Sequence, residues 1–272
     1  MSAKIKVKSP YLVKPHTRVR LAKVSAADSG EYKAEPDANA ALQRHVQRLE
    51  TLQELLTAEN KHAVLVVLQG MDTSGKDGTI RHIFTGVNPQ ACNVTSFKPP
   101  TPLEKQHDYL WRAHNAIPRA GTIGIFNRSH YEDVLVPRVH KAITGKVVRQ
   151  RFRQIVDFEE TLAENNVTIL KFFLHISRDE QTRRLEARLA DVDKRWKVSE
   201  ADFVERHLWS EYEAAYEDAI SNTSRKFAPW FLIPSDHKWY RNVAISEILV
   251  KAMNNLKMKY PKPTFDPASI RL

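Results

Sequence analysis

An apolar run that ends directly in a glycine-rich loop constrains the fold of this chain most strongly. The run AVLVVLQG, residues 63–70, consists mainly of branched apolar residues, as expected for a strand buried on both faces of a parallel sheet. It leads into GMDTSGKDG, residues 70–78, which fits the pattern G-x-x-x-x-G-K and is followed by a helical segment. Strand, loop and helix in this order predict a phosphate-binding loop at the carboxyl end of a central strand.

The rest of the chain alternates predicted strands with predicted helices. Further strands are expected at residues 92–97, 122–126, 167–177 and 230–234. Helices are expected from apolar spacing at 38–56, 147–164, 202–222 and 242–258, and from capping boxes that begin at Thr101 and Ser177. This alternation predicts a three-layer α/β/α domain with a mainly parallel central sheet.

The residue types of the loop suit phosphate binding. Glycines leave room for a run of backbone N–H groups, the following helix aims its positive end at the anion, and Lys76 adds a mobile charge. The residues predicted to bind phosphate here are Gly70, Ser74, Gly75, Lys76, Asp77 and Gly78.

Asp77 stands where the pattern has Ser or Thr, and Asp72 is a second acid inside the loop. Carboxylates suit Mg²⁺, and two acids among phosphates would repel them unless a cation intervenes, so the pair predicts bound magnesium. The alternative for Asp77 is an acid that complements the helix dipole, and the alternative for Asp72 is a turn residue.

A second polar group follows the strand at 122–126. Arg128 is predicted to bind phosphate, because a guanidinium fork matches phosphate oxygens. Glu132 has two interpretations: a functional carboxylate, or the last residue of the capping box SHYE that begins at Ser129.

The segment after the strand at 167–177 is strongly basic. Arg184 and Arg188 lie four residues apart and share one helix face, where they would close over a transferring phosphoryl group. The alternative is an ordinary solvated face, since acids are interspersed. Lys98, just past another strand, is a candidate for a polyanion channel.

Five blocks, taken together and in order, resemble the polyphosphate kinase 2 family over about residues 11–261: GMDTSGKDGTIR, IFNRSHYEDVL, TILKFFLHIS, KRWK and KWYRN. The resemblance implies a P-loop kinase fold with a helical lid, here about residues 178–206. It also implies Mg²⁺ or Mn²⁺ as cofactor, dimers or tetramers, and phosphoryl transfer between inorganic polyphosphate and nucleotides. In that family Asp is the usual residue after the loop lysine.

The resemblance also implies roles for individual residues. Asp72, Lys76 and Arg128 would be catalytic, and Asp72 and Glu132 would hold the metal. Asn127, Arg128 and Glu132 would contact the acceptor nucleotide, and Arg184 and Arg188 would contact phosphate. The stretch FNRSHYEDVLV resembles the subfamily that phosphorylates both AMP and ADP.

Composition narrows the remaining alternatives. Lys and Arg number 42 against 32 acids, a net charge of +10, which suggests a polyanionic partner. An ATP-dependent P-loop kinase would carry Ser or Thr after Lys76, and a nucleic-acid binder would expose aromatic residues among its basic ones. Most aromatic residues of this chain lie at the spacing of core residues, as Phe152 and Phe158 do, so we expect no nucleic-acid partner.

Composition and apolar patterning also set the expected organisation. With one cysteine, no apolar leader and no membrane-length run, we expect a cytoplasmic protein without a membrane partner. One domain is expected over residues 38–262, after an irregular segment at 1–37 and before a tail at 263–272.

Overall fold

A six-stranded sheet forms the centre of the computed structural model, which describes residues 5, 7–266 and 270. Its strands are β1 (Leu12–Val13), β2 (Ala63–Gln69), β3 (Cys92–Ser96), β4 (Ile123–Asn127), β5 (Val167–His175) and β6 (Trp230–Pro234). The order across the sheet is β1-β6-β5-β2-β4-β3. Every neighbouring pair is parallel except β1 and β6. The predicted α/β class with a mainly parallel sheet is confirmed.

Helices cover both faces of this sheet. They are α1 (Glu35–Glu59), α2 (Lys76–Ile83), α3 (Trp111–Asn115), α4 (Glu132–Val139), α5 (Gly145–Glu164), α6 (Arg178–Ala190), α7 (Glu200–His207), α8 (Trp209–Thr223) and α9 (Lys238–Asn254). One layer is built from α1, α2 and α9, and the other from α4, α5 and α8. No helix among the described residues combines the length and apolarity needed to cross a bilayer.

The register of the central strands places the phosphate loop. Strands β2 and β5 are buried along their whole length, as expected for mainly apolar strands at the centre of a parallel sheet. Leu68 of β2 pairs with Asn127 of β4, and Gln69 pairs with Phe173 of β5. The carboxyl ends of β2, β4 and β5 therefore meet at one edge, where ligands bind in open α/β sheets.

The helix predicted from Thr101 is replaced by a short turn. The capping box does form, since Glu104 N–H donates to Thr101 Oγ1 at 3.2 Å and Thr101 N–H donates to Glu104 Oε2 at 2.7 Å. Only a 3₁₀ turn at Glu104–Gln106 follows. Asp108 then accepts the Leu110 N–H at 2.9 Å, a local bond that competes with helix continuation, and α3 begins beyond it.

Other element limits differ less. The helix predicted at 202–222 is two helices, α7 and α8, which meet at Leu208. The segment predicted to be irregular at 1–37 contributes β1 and the first turn of α1. Residues 1–4 and 6 of that segment, and residues 267–269 and 271–272 of the predicted tail, lie outside the described residues.

Candidate active site

The loop between β2 and α2 has the backbone conformation that its glycines allow. Gly70 has φ 152° and Gly75 has φ 102°, both in the region that favours glycine. A Cβ added at Gly70 would lie 2.8 Å from the Leu174 carbonyl of β5, so a side chain there would collide with the sheet. The glycines of the motif are thus explained by backbone geometry.

Lys76 begins α2 and turns back across the loop. Its ammonium donates to the carbonyls of Gly70 at 3.0 Å and Met71 at 3.2 Å, and its side chain is almost fully buried. Burial first, and repulsion from Arg128 second, lower the pKa of Lys76 to about 8, although Asp72 opposes the shift. The ammonium of Lys76 therefore lies within the loop and is partly desolvated, which favours binding of an anion there.

Arg128 bridges two acids from different elements. It follows β4 with φ 62° and its N–H donates to Leu68 O at 3.0 Å, which fixes the crossing from strand to helix. Its Nη2 lies 3.7 Å from Asp72 Oδ1, and its Nη1 lies 3.3 Å from Glu132 Oε2. The three predicted side chains Asp72, Arg128 and Glu132 are thus brought together at the end of β4.

Glu132 does not complete the capping box that SHYE suggested. Ser129 Oγ accepts from the Tyr131 N–H at 3.2 Å and from Gln69 Nε2 at 3.1 Å, while the Glu132 carboxylate turns to Arg128. Glu132 Oε1 is buried and, among the described residues, has no hydrogen-bond partner. A buried carboxylate oxygen without a partner is costly, and a bound ligand would satisfy it.

The segment that carries Arg128 and Glu132 is anchored in the core. Tyr131 is fully buried, and its hydroxyl donates to Glu159 Oε1 at 2.9 Å. Lys171 of β5 donates to the same hydroxyl at 3.0 Å and forms a 2.5 Å ion pair with Glu159. This buried network fixes the start of α4 against β5, so the bridging arginine is held on a rigid support.

The phosphate loop and Arg128 open onto one large cleft of about 1200 Å³. Ten basic and four acidic side chains line it, so a polyanion would find a net attractive surface. Predicted residues that line the cleft are Asp72, Gly75, Lys76, Asp77, Gly78, Lys98, Asn127, Arg128, Arg184 and Arg188. Gly70, Ser74 and Glu132 are not part of its lining.

The sequence profile of polyphosphate kinase 2 (PPK2) matches residues 32–261 of the chain. The chain belongs to the polyphosphate kinase 2 family. It is 51% identical over 257 residues to an AMP/ADP-polyphosphate phosphotransferase of Meiothermus ruber, with 93% of this chain and 95% of that protein covered. It is 42% identical over 273 residues to an ADP-polyphosphate phosphotransferase of Rhodopseudomonas palustris, with 96% and 94% covered.

A solved structure supports the same assignment. The crystal structure of polyphosphate kinase 2 from Arthrobacter aurescens TC1 superposes with a TM-score of 0.90 at 40% sequence identity, covering 97% of this chain and 93% of that chain. The P-loop kinase fold inferred from the resemblance is therefore confirmed for this polyphosphate kinase 2.

In this member of the family, Arg184 of α6 does not face the cleft with a free fork. Its guanidinium donates five hydrogen bonds, all to protein oxygens: the Glu180 carboxylate and the backbone carbonyls of Thr73, Ser74, Ser235 and Asp236. These bonds tie Arg184 to the backbone of the loop, and its contact with phosphate stays a prediction. Arg188, one turn later, is half-buried and lines the cleft.

Sequence reasoning missed Lys238 and Arg241 of α9, which line the same cleft. The block KWYRN contributed to the resemblance, yet it implied no role for these two cations. A signal was present in the sequence. Arg241 directly precedes the apolar helical pattern of 242–258, and an arginine is unusual in a core helix. Only the packing of α9 against α2 shows that this arginine lies under the loop.

Proposed function

We propose that this chain transfers phosphoryl groups reversibly between inorganic polyphosphate and nucleotides, converting AMP to ADP and ADP to ATP with Mg²⁺ or Mn²⁺. The observation that carries the proposal is the cleft, in which a phosphate loop faces an excess of basic side chains contributed by α6, α9 and the end of β3. A nucleotide alone needs only a few of these cations, whereas a long polyanionic donor can contact many more of them.

The names of the relatives support the choice of substrates. The Meiothermus relative is an AMP/ADP-polyphosphate phosphotransferase and the Rhodopseudomonas relative an ADP-polyphosphate phosphotransferase. Both cover nearly the whole of this chain, and the first is the more similar in sequence. Use of AMP in addition to ADP is thus the finer part of the proposal, and the part that needs its own test.

The reaction needs positioning and charge more than covalent chemistry. An oxygen of the acceptor's terminal phosphate bonds to the terminal phosphorus of the donor, while the bond from that phosphorus to its bridging oxygen breaks. The shortened chain leaves with the electron pair on that oxygen. In this site Lys76 and the loop N–H groups bind the donor, and Arg128 stabilises charge on the transferring group.

Asp72 and Glu132 fit the requirements of a magnesium site that is completed by substrate. Among the described residues no group of three or more His, Cys, Asp or Glu is placed to hold a metal. Two carboxylates that flank one arginine, with a buried oxygen left unpaired on Glu132, match the one or two acids that Mg²⁺ takes beside phosphates. When bound, the metal neutralises phosphate charge and orients phosphate oxygens.

A phosphoryl-donor screen tests the function. Purified protein would be offered long-chain polyphosphate or ATP as donor, with AMP, ADP or a small phosphorylatable metabolite as acceptor, and products separated by ion-exchange chromatography. We expect polyphosphate to support synthesis of ADP from AMP and of ATP from ADP. Turnover with ATP and a small metabolite, but none with polyphosphate, would favour the ATP-dependent kinase instead.

One exposed aromatic residue is a reason to test nucleic-acid binding in the same screen. Trp196 is 78% exposed in the basic segment after α6, unlike the buried Phe152 and Tyr216. An oligonucleotide that binds as tightly as polyphosphate of equal charge would contradict our expectation of no nucleic-acid partner.

Three expectations from the sequence remain predictions: self-association as dimers or tetramers, the cytoplasmic location and the domain limits. Light scattering can test the self-association.

A further inference from the structure

Arg241 is a buried cation for which the described residues provide no acidic partner. It lies on α9 with 2% of its surface exposed, and none of the ion pairs among the described residues includes it. Its Nη1 donates to the Ser74 carbonyl at 3.1 Å, and its Nε and Nη2 donate to Asn242 Oδ1. Burial, and secondly the charge of Arg184, lower the pKa of Arg241 to about 9, so it stays charged at neutral pH.

The loop is shaped around this guanidinium. A Cβ added at Gly75 would lie 1.9 Å from Arg241 Nη1, so the loop can approach this close only with glycine at that position. Arg184 donates to the same Ser74 carbonyl at 3.1 Å. Two arginines from two different helices therefore hold one peptide group of the loop.

The direction of that peptide determines what the loop presents to a ligand. The Ser74 carbonyl and the Gly75 N–H belong to one trans peptide and point in opposite directions. Because the carbonyl is held toward Arg241, the N–H points away from it. Among the described residues the N–H groups of Gly75 and Lys76 have no protein acceptor, as expected at the start of α2.

We propose that Arg241 is a positioning residue for phosphoryl transfer: it holds the Ser74–Gly75 peptide so that the loop N–H groups face the donor, and bound polyphosphate supplies the negative charge that Arg241 lacks in the protein. This inference rests on the proposed function. It explains why a buried arginine lies under the loop without a carboxylate, an arrangement that is costly until an anion binds nearby.

Three variants separate this role from a purely structural one. Arg241→Gln removes the charge, and Arg241→Lys keeps the charge but loses the fork. Arg48→Gln is the matched control, because Arg48 also donates to an amide on α9, Asn254 Oδ1 at 2.7 Å, and lies outside the lining of the cleft. The readouts are the melting temperature with and without long-chain polyphosphate, and the KM values for polyphosphate and for ADP.

For Arg241→Gln we expect the KM for polyphosphate to rise roughly tenfold, the effect of one charge-assisted hydrogen bond, while the KM for ADP changes little. The rise in melting temperature caused by polyphosphate should shrink by about half or more, since a ligand that binds more weakly stabilises the folded state less. Arg241→Lys should fall between Arg241→Gln and wild type, and Arg48→Gln should match wild type.

Two outcomes would overturn the inference. One is a folded Arg241→Gln with an unchanged KM for polyphosphate and an unchanged ligand-induced shift. If Arg241→Gln does not fold, a folded Arg241→Lys with both quantities unchanged would overturn it equally. A wild type that neither binds polyphosphate nor turns it over would instead refute the proposed function, so the two failures are distinguishable.

Discussion

Asn127 Nδ2 donates a 2.5 Å hydrogen bond to Asp77 Oδ1, which ties the last residue of β4 to the first turn of α2. The acid that follows the loop lysine is therefore held by an amide from the neighbouring strand. This contact accounts for Asp at a position where the general loop pattern has Ser or Thr, because a hydroxyl is too short to span the same gap.

Replacing Asn127 with Asp should set two carboxylates against each other. We expect the ligand-free variant to lose about 1 kcal/mol of unfolding free energy, the typical value of one hydrogen bond, and to regain it when Mg²⁺ is added. Thermal melting with and without Mg²⁺ measures this, with Asn93→Asp on exposed β3 as control. Identical melting of Asn127→Asp and wild type without metal would contradict the contact's importance.

Lys76→Ala and Asp72→Ala should each abolish turnover while the fold is retained. Removing one positioned group from a charge-stabilised transition state costs roughly 10²–10³ in kcat. The fold should be retained because Asp72 lies in the loop, and the buried ammonium of Lys76 donates to loop oxygens and lies outside the hydrophobic clusters of the core. Initial rates and circular dichroism would be compared with those of Lys61→Ala, an exposed residue before β2. A near-wild-type rate in either site variant would place the active site elsewhere.

Glu132→Gln should impair the use of AMP more than the use of ADP. A monophosphate reaches less far toward the donor than a diphosphate, so it depends more on a carboxylate that helps to hold metal or acceptor. We expect the ratio of kcat/KM for ADP to that for AMP to rise about tenfold, the effect of one charged contact. Because the capping box is not formed and Gln can still accept a hydrogen bond from Arg128, melting should change little.

The acceptor assay has two informative failures. If Glu132→Gln equals wild type on both nucleotides, while the control Glu160→Gln on α5 behaves likewise, Glu132 has no functional role. If the wild type uses ADP but never AMP, the proposed acceptor range is wrong, although transfer from polyphosphate to ADP would stand.

Affinity for polyphosphate should fall as the pH rises above about 8. The pKa of Lys76 is lowered to about 8 from its ordinary 10.5, chiefly by burial, so the free site loses its ammonium in this range. Because the folded pKa is below the unfolded one, the charged lysine destabilises the free protein below pH 8. That cost is relieved as the pH rises from about 8 to 10.5. Binding and stability should therefore change in opposite directions.

Titration calorimetry with long-chain polyphosphate from pH 7 to 10 measures the affinity. Lys76→Met, which cannot titrate at this position, should bind weakly and lose the pH dependence centred near pH 8. The dependence that remains near pH 9 belongs to Arg241. Equal pH dependence in wild type and Lys76→Met would assign the effect to another group.

The KM for polyphosphate should rise steeply with salt, and full activity should require a divalent cation. A polyanion that displaces counterions from the cleft loses affinity as salt rises, by the logic known for nucleic acids. Lys98→Ala and Arg188→Ala should each reduce the log–log slope by about 1, whereas exposed Arg119→Ala should leave it unchanged. A KM for polyphosphate that does not depend on salt would contradict binding of polyphosphate by the basic side chains of the cleft. Full activity in excess EDTA would contradict the role of Asp72 as a metal ligand.

The local part of the site was predictable because its residues are contiguous. An apolar run with both faces buried, two glycines at positive φ and a lysine at the helix start lie within residues 63–78, and periodicity is enough to recognise them. The strands β5 and β6 were recognised for the same reason. The helix expected at Thr101 shows where prediction from local pattern fails. Its capping box forms as predicted, but the residues that follow make competing local hydrogen bonds and the helix does not continue.

The sequence by itself therefore determined the fold class, the loop and the family, because these depend on local pattern. Only the tertiary structure decided which side chains share a space. The order of the strands brings Glu132 to Arg128 and Asp72, and Ser129 is unavailable as a cap because Tyr131 and Gln69 occupy its hydroxyl. Arg241 reaches Ser74 across 167 positions of sequence. No local pattern encodes that contact, since it arises from the packing of α9 beneath the loop.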